Sequence, residues 1–304
     1  MKKIVLLGLL SVMFVSCNTP KKQKHKKFTI VCTTTMITDL VKILGGDAVE
    51  VQGMMGAGVD PHLYKASAGD LKKLTDADVI VYNGLHLEGK LVDVFDKMNQ
   101  IGKKTIAVGS LLPKEKIIHS QMFASAHDPH IWFSIDNWKM IAEQLVKKLS
   151  DINPENSDIY EKNGKEYVQE LQALKQEIAK SIAVLSKEKR ILVTAHDAFS
   201  YFGKEFDFEV VGLQGLSTAT EAGVKDVQRI SDFIIRHQIK AVFIESSVPK
   251  RTVKALQAAV KSKGQEVNIG GELFSDALGN PSEKTGSYVG MYRYNVATIV
   301  NALK

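Results

Sequence analysis

From residue 28 onward, short apolar runs rich in β-branched residues alternate with longer stretches whose apolar positions recur at helical spacing. The short runs predict parallel strands, and the stretches between them predict helices that cover both faces of the sheet. The predicted strands of the first half are Phe28 to Cys32, Val49 to Met54, Val79 to Tyr82 and Thr105 to Val108. The predicted helices are Ile37 to Leu44, Lys65 to Leu74 and Leu91 to Met98.

The same alternation returns in the second half of the chain. Its predicted strands are Arg190 to Thr194, Phe208 to Leu213, Ala241 to Ile244 and Val267 to Gly270. Its predicted helices are Ala198 to Phe206, Lys225 to Gln238, Arg251 to Lys263 and Tyr288 to Leu303. The pattern therefore predicts an α/β protein with two similar halves.

A helix-forming region separates the halves. After a predicted helix at 136–149, residues 157–185 lack proline and keep helical apolar spacing, which predicts one helix of about 29 residues and roughly 43 Å. This is long for a compact domain, so it is expected to join two lobes. We predict an N-terminal lobe at 28–155, a connecting helix at 156–186 and a C-terminal lobe at 187–304, each lobe a parallel sheet flanked by helices.

The N-terminus is typical of an export signal. Met1-Lys2-Lys3 precedes an apolar run from Ile4 to Val15, which is too short to span a bilayer and ends in Ser16-Cys17. This end resembles a bacterial lipobox, which implies a signal peptide at 1–16, lipidation of Cys17 and a basic tether at 17–27. The protein would then be exported and anchored to the membrane by lipid at Cys17. A plain secretory signal that is cleaved elsewhere is the alternative.

Composition narrows the class of protein. The chain has 304 residues and two cysteines, so loss of Cys17 to lipid would leave Cys32 alone, as a buried core residue without a disulfide. The formal net charge is +6, but residues 1–27 contain seven lysines. Without these seven positive charges, the folded part of the chain is close to neutral. The sequence therefore gives no argument for nucleic-acid binding, and the basic tail is interpreted as a solvated spacer.

Candidate chemistry begins with a repeated tripeptide, Asp-Pro-His, at 60–62 and again at 128–130. Proline stiffens the backbone before each histidine, which lowers the entropy that His62 and His130 lose on binding a ligand. Each aspartate is a potential orienting partner for an imidazole. Taken singly, each motif is better explained as a proline turn that carries a surface histidine, but the pair favours a shared metal.

Two further candidates lie in the second half. His196 directly follows a predicted strand, which is where open parallel sheets bind ligands. A satisfied core histidine, or a helix cap formed with Asp197, is the alternative. Asp276 lies in the glycine-containing loop after the last predicted strand, where an aspartate more often serves turn geometry.

Together these motifs resemble the cluster A-I solute-binding proteins of zinc and manganese ABC importers. The resemblance covers the chain from Cys17 onward and rests on the lipobox, both Asp-Pro-His motifs and the segments at 194–202, 215–218, 243–246 and 273–279. It implies two α/β lobes joined by a rigid helix, with a metal buried between them. The implied ligands are His62, His130, His196 and Asp276.

The chain departs from the family pattern at two places. Many manganese-type members have glutamate at the position of His196, and many zinc-type members carry a histidine-rich loop where this chain has only His119 and His127 before His130. Three imidazoles and one carboxylate suit Zn²⁺, whereas a bidentate Asp276 would raise the coordination number toward that of Mn²⁺. The metal is therefore Zn²⁺ or Mn²⁺.

Other polar residues are weaker candidates. His127 is expected to be an exposed loop residue rather than an accessory ligand. Glu245, which follows a predicted strand, is equally consistent with a partner of a ligand and with an ordinary carboxylate at a helix start. The remaining histidines are expected at the surface: His25, His86, His119 and His237.

Three functions compete. The first is a monomeric binding protein that captures a divalent metal outside the cytoplasm and delivers it to an ABC permease in the membrane. The second is a zinc hydrolase of the cell envelope, but a catalytic zinc keeps an open coordination position that four protein ligands would close. The third is binding of a siderophore or corrinoid, which the aromatic content of 7% disfavours. The sequence therefore favours metal capture without catalysis.

Overall fold

The computed structural model describes residues 27–119 and 127–304. The predicted signal peptide and Cys17 lie outside the described residues, as does the predicted tether except for Lys27. Within the described ranges, no helix combines the length and the apolar character needed to cross a membrane.

The N-terminal half contains a four-stranded parallel sheet. Its strands are β1 (Phe28–Cys32), β2 (Val49–Gly53), β3 (Val79–Tyr82) and β4 (Lys104–Ala107), and its helices are α1 (Thr35–Gly45), α2 (Ala68–Asp76) and α3 (Val92–Gln100). The strand order is β2-β1-β3-β4. Thr34 and Ser67 begin α1 and α2 by accepting hydrogen bonds from backbone N–H groups in the first turn of each helix. Because all four strands are parallel, their carboxyl ends lie at one edge of the sheet, where the loops after β1 and β2 lead to these caps.

Two helices connect the halves, α4 (Ile135–Ile152) and α5 (Ser157–Ile182). The 26 residues of α5 span about 39 Å, and its buried face packs against α4 and α1. Gly164 allows the close approach to α4, because a Cβ there would lie 2.5 Å from Val146 Cγ2. The prediction of one long helix between the halves is confirmed. The proposed lobe boundaries at 155 and 187 stay a prediction.

The C-terminal half repeats the α/β pattern. Its strands are β5 (Ile191–His196), β6 (Glu209–Gln214), β7 (Ala241–Glu245) and β8 (Asn268–Leu273), and its helices are α6 (Ser200–Phe206), α7 (Val224–Arg236), α8 (Arg251–Ser262) and α9 (Tyr288–Leu303). The parallel ladders are β5-β6 and β7-β8, and β5 lies beside β7. The carboxyl ends of β5 and β7 therefore meet. The predicted fold class, α/β with parallel sheets flanked by helices, is confirmed.

The last helix, α9, forms hydrogen bonds with residues of the N-terminal half. The hydroxyls of Tyr288 and Tyr292 donate to the carbonyl oxygens of Trp132 and Phe133, at 2.7 and 2.8 Å, and the Tyr288 N–H donates to Asp39 on α1 at 2.8 Å. One continuous hydrophobic core includes side chains from β1, α1, α4, α5 and α9. Because this core and these hydrogen bonds run through both halves, the segment after His130 is held in a fixed position.

Candidate metal centre

The structure brings the four predicted ligands together at the junction of the two halves. One donor atom from each of His62, His130, His196 and Asp276 lies within 4.8 Å of those of the other three. All four side chains are buried, with exposed fractions of 4%, 0%, 0% and 1%. Within residues 27–119 and 127–304 it is the one cluster of His, Cys, Asp or Glu with this geometry.

Both Asp-Pro-His motifs fold into the same turn. Asp60 Oδ1 accepts a hydrogen bond from the backbone N–H of His62 at 2.8 Å, and Asp128 Oδ1 accepts one from that of His130 at 2.9 Å. Proline between the two residues fixes this loop, so each ring leaves a constrained backbone. The repeated tripeptide therefore reflects a repeated local structure.

The two aspartates differ in their second contact. Asp128 Oδ1 also lies 2.8 Å from His130 Nδ1, so it orients the ring and directs Nε2 into the cluster. Asp60 instead accepts a hydrogen bond from Thr218 Oγ1 of the C-terminal half at 2.6 Å. The expected aspartate–imidazole contact thus holds for His130, whereas Asp60 links the His62 loop to the opposite half.

His196 is the last residue of β5, whereas the sequence predicted it directly after the strand. Glu245, the last residue of β7, accepts from the His196 backbone N–H at 2.9 Å and lies 2.5 Å from its Nδ1. Both side chains are fully buried. This contact decides between the two interpretations of Glu245: it orients a candidate ligand, which leaves His196 Nε2 free to face the cluster.

Asp276 follows β8 and faces the imidazoles with both oxygens. Oδ1 lies 3.4 Å from His130 Nε2, and Oδ2 lies 3.3 Å from His196 Nε2 and 4.0 Å from His62 Nε2. Trp132 Nε1 donates to the backbone oxygen of the preceding residue, Ser275, at 3.0 Å. The indole therefore anchors the Asp276 loop to the segment that carries His130.

The electrostatics of the cluster are set by its burial and its carboxylates. Burial lowers the pKa of His62 to about 3, so this ring is neutral. Burial also disfavours the charged form of His130, but Asp128 and Asp276 outweigh it and raise that pKa to about 9. The pKa of His196 is raised well above its usual value, because Glu245 and Asp276 outweigh its burial. Burial would raise the pKa of Asp276, yet His196 and His130 hold it well below its usual range.

Two buried atoms of the centre have no hydrogen-bond partner among the described residues, His62 Nε2 and Asp276 Oδ1. A buried polar atom without a partner costs about 1–3 kcal/mol, and such atoms are uncommon unless an ion or water satisfies them. Here both point into a set of three imidazole nitrogens and a carboxylate, which are ligands of divalent transition metals. The donor set therefore fits a metal ion as the bound species.

A cavity of about 740 Å³ adjoins the centre and reaches His62. His127 lines it as a half-buried residue whose ring packs against that of His119 at 4.6 Å between centroids. His127 is therefore less exposed than predicted, because that ring covers it, and it does not belong to the four-residue cluster. His86, His119 and His237 are exposed as expected. His25 lies outside the described residues.

Sequence reasoning gave no role to three side chains that contact the centre. Thr218 holds Asp60, Ser247 Oγ lies 3.4 Å from Asp276 Oδ2, and Trp132 anchors the Asp276 loop. Thr218 and Trp132 lie within motifs that carried the family resemblance. Ser247 lies one residue beyond such a motif, and no local pattern distinguishes it from a turn serine.

Comparison with known proteins places the chain in a family. Residues 30–302 match the model of ZnuA, the periplasmic component A of zinc-uptake complexes. The chain belongs to this family. The expectation of a metal-binding solute-binding protein of an ABC importer is thereby confirmed, the hydrolase alternative is not supported, and the family consists of substrate-binding proteins rather than enzymes.

Relatives of the ZnuA family extend along nearly the whole chain. The manganese-binding lipoprotein MntA of Bacillus subtilis is 44% identical, over 99% of this chain and 97% of its own length. The zinc-binding protein TroA of Treponema pallidum is 40% identical, over 99% and 96%. The solved structure of periplasmic zinc-binding protein TroA superposes with a TM-score of 0.88 at 42% identity, and covers 91% of this chain and 99% of that one.

Proposed function

We propose that this protein captures one Zn²⁺ or Mn²⁺ ion through His62, His130, His196 and Asp276 and delivers it to an ABC permease. The observation that supports this most strongly is the convergence of four buried donor atoms within 4.8 Å. Solute-binding proteins of ABC importers act with a membrane permease, so the metal is the transported ligand and no reaction is catalysed. The protein is proposed to act as a monomer.

The donor set leaves both metals open. Three imidazole nitrogens and one carboxylate oxygen match the four-coordinate geometry that Zn²⁺ favours, whereas Mn²⁺ favours more oxygen ligands. The names of the relatives divide in the same way, since MntA is called manganese-binding and TroA zinc-binding. The preference between Zn²⁺ and Mn²⁺ therefore depends on whether Asp276 binds the metal through one oxygen or through both.

The direct test is metal analysis of the purified chain lacking residues 1–17. We expect one equivalent of zinc or manganese after mild dialysis. Adding either metal at about 1,000 times Kd to stripped protein should stabilise it by about 4 kcal/mol, a rise in Tm on the order of 5–10 °C. Absence of both bound metal and thermal shift would contradict the proposal.

Metal affinity is expected to rise between pH 6 and pH 9. The pKa of His130 is raised from 6.5 to about 9 and that of His196 is also raised, so a metal must displace a proton from each ring, and for His130 this cost falls as the pH approaches 9. The shift of His130 stabilises the metal-free fold fully below pH 6.5, and this stabilisation is lost as the pH rises through about 9.

The metal-induced rise in Tm should therefore grow with pH. Metal affinity increases with pH, while the metal-free protein becomes less stable. Thermal shift measured from pH 6 to pH 9 with and without metal checks this. Proton release, measured by calorimetry in buffers of different ionisation enthalpy, should accompany binding at pH 7. A thermal shift that does not change over this pH range would contradict the prediction.

The protein is also proposed to be anchored outside the cytoplasm by lipid at Cys17. Replacing Cys17 by alanine should release it from membranes and leave its metal affinity unchanged, because the described fold begins about ten residues later. Membrane fractionation checks this, with Cys32→Ala as the control that keeps the lipidation site. Retention of Cys17→Ala in the membrane fraction would rule out the anchor.

A further inference from the structure

Strand β7 supplies none of the four candidate ligands, yet the residues at its end contact two of them. Glu245 orients His196, as described above. Two residues later, Ser247 Oγ lies 3.0 Å from Ser275 Oγ and 3.4 Å from Asp276 Oδ2. The Ser247 hydroxyl therefore donates to an oxygen of a candidate ligand and shares a second hydrogen bond with Ser275, in which either hydroxyl can donate.

The two oxygens of Asp276 are not equivalent. Oδ1 faces His130 Nε2 and accepts no hydrogen bond from the described residues, so it is free to bind a cation. Oδ2 faces His196 Nε2 and is also within reach of the Ser247 hydroxyl. A proton donor on one oxygen withdraws its electron density and makes it a poorer ligand, which favours binding of a metal through the other oxygen alone.

We propose that Ser247 sets the metal preference of the centre by donating to Asp276 Oδ2 and so keeping Asp276 a one-oxygen ligand. The proposal rests on the metal-binding function inferred above and names the side chain that tunes it. With one oxygen from Asp276 the coordination number is four, which favours Zn²⁺. With both oxygens it is five, with more oxygen in the set, which moves the preference toward Mn²⁺.

Ser275 provides a contrasting test. Its Oγ lies 3.0 Å from Ser247 Oγ, and either hydroxyl can donate in this hydrogen bond. Replacing Ser247 by alanine removes the donor to Asp276 and frees Oδ2. Replacing Ser275 by alanine removes the serine–serine hydrogen bond whichever way it runs, so Asp276 is then the one partner of the Ser247 hydroxyl among the described residues. The first change should favour Mn²⁺ and the second should not, a contrast that a merely structural role for both serines would not produce.

The experiment compares four variants with the wild-type protein in competition titrations of Zn²⁺ against Mn²⁺. The ratio of affinities should shift about tenfold toward Mn²⁺ in Ser247→Ala, the lower end of what a residue supporting a metal ligand contributes. It should not shift toward Mn²⁺ in Ser275→Ala. Ser247→Thr keeps the hydroxyl and should restore the wild-type ratio. Ser246→Ala is the matched control, because Ser246 Oγ has no hydrogen-bond partner in the described structure.

Visible absorption of the Co²⁺-loaded protein gives an independent readout, because four-coordinate Co²⁺ absorbs more strongly than five-coordinate Co²⁺. Absorption should fall in Ser247→Ala and stay unchanged in Ser246→Ala. The proposal is overturned if Ser247→Ala leaves the ratio and spectrum unchanged, or if it weakens both metals equally. Wild-type protein that binds neither metal would overturn the proposed function as well, so the two failures are distinguishable.

Discussion

Replacing Asp276 by asparagine is expected to weaken binding of Zn²⁺ and Mn²⁺ by about two to four orders of magnitude. Asp276 supplies the carboxylate among four candidate ligands and is fully buried. Removing one partner of a buried charged pair costs about 3–5 kcal/mol, and each 1.4 kcal/mol corresponds to a factor of ten. Asparagine keeps the size of the side chain, so the loss reports the charge and not a cavity.

Titration of stripped protein with each metal checks this prediction. Asp39→Asn is the matched control, because Asp39 is also a mostly buried carboxylate but accepts a hydrogen bond from the Tyr288 backbone, away from the centre. The Tm of the metal-free Asp276→Asn protein should fall, because His130 and His196 lose a carboxylate that favours their charged forms. Binding within threefold of wild type would remove Asp276 from the site.

Replacing His196 by glutamate is expected to have a large effect that depends on Glu245. The exchange puts a hard oxygen ligand in place of nitrogen, which favours Mn²⁺ over Zn²⁺. It also places a second carboxylate beside Glu245, whose oxygen lies 2.5 Å from His196 Nδ1. Two buried carboxylates at this distance cannot both be ionised, so the single variant should bind both metals poorly and lose stability.

The double variant His196→Glu with Glu245→Gln removes that repulsion and provides an amide donor for the new carboxylate. It should regain metal binding with a preference shifted toward Mn²⁺. Competition titrations of the single and double variants decide the outcome, with His127→Glu as the control that leaves the ratio unchanged. If the double variant keeps the wild-type ratio, His196 is not a ligand.

Hydrophobic periodicity predicted the elements well but not their ends. Residues up to Leu185 were expected in the long helix, and Leu185 is indeed buried, although α5 ends at Ile182. Its backbone N–H bonds to the Ile182 oxygen, three residues back, so the chain turns more tightly while still facing the core. Periodicity reports which residues are buried, and a 3₁₀ turn preserves that pattern over one turn.

The residues of the candidate site differed in how well the sequence predicted them. The repeated Asp-Pro-His motif and the strand end at His196 could be interpreted from local sequence, whereas Asp276 depended on the family resemblance. The role of Glu245 could not be decided, because its partner lies 49 residues away and only the meeting of β5 and β7 brings the two together. Ser247 and Thr218 act over 29 and 158 residues, which no local spacing encodes.

The hydrogen bonds from Tyr288 and Tyr292 affect the order in which parts of the protein fold. They fix the segment after His130 across 156 and 159 residues of sequence, so this segment is completed only when nearly the whole chain is present. Contacts at such separation form late, because a long loop must close first. A chain that crosses the membrane unfolded would therefore acquire its metal pocket only after its last helix has emerged, in the compartment where its cargo is found.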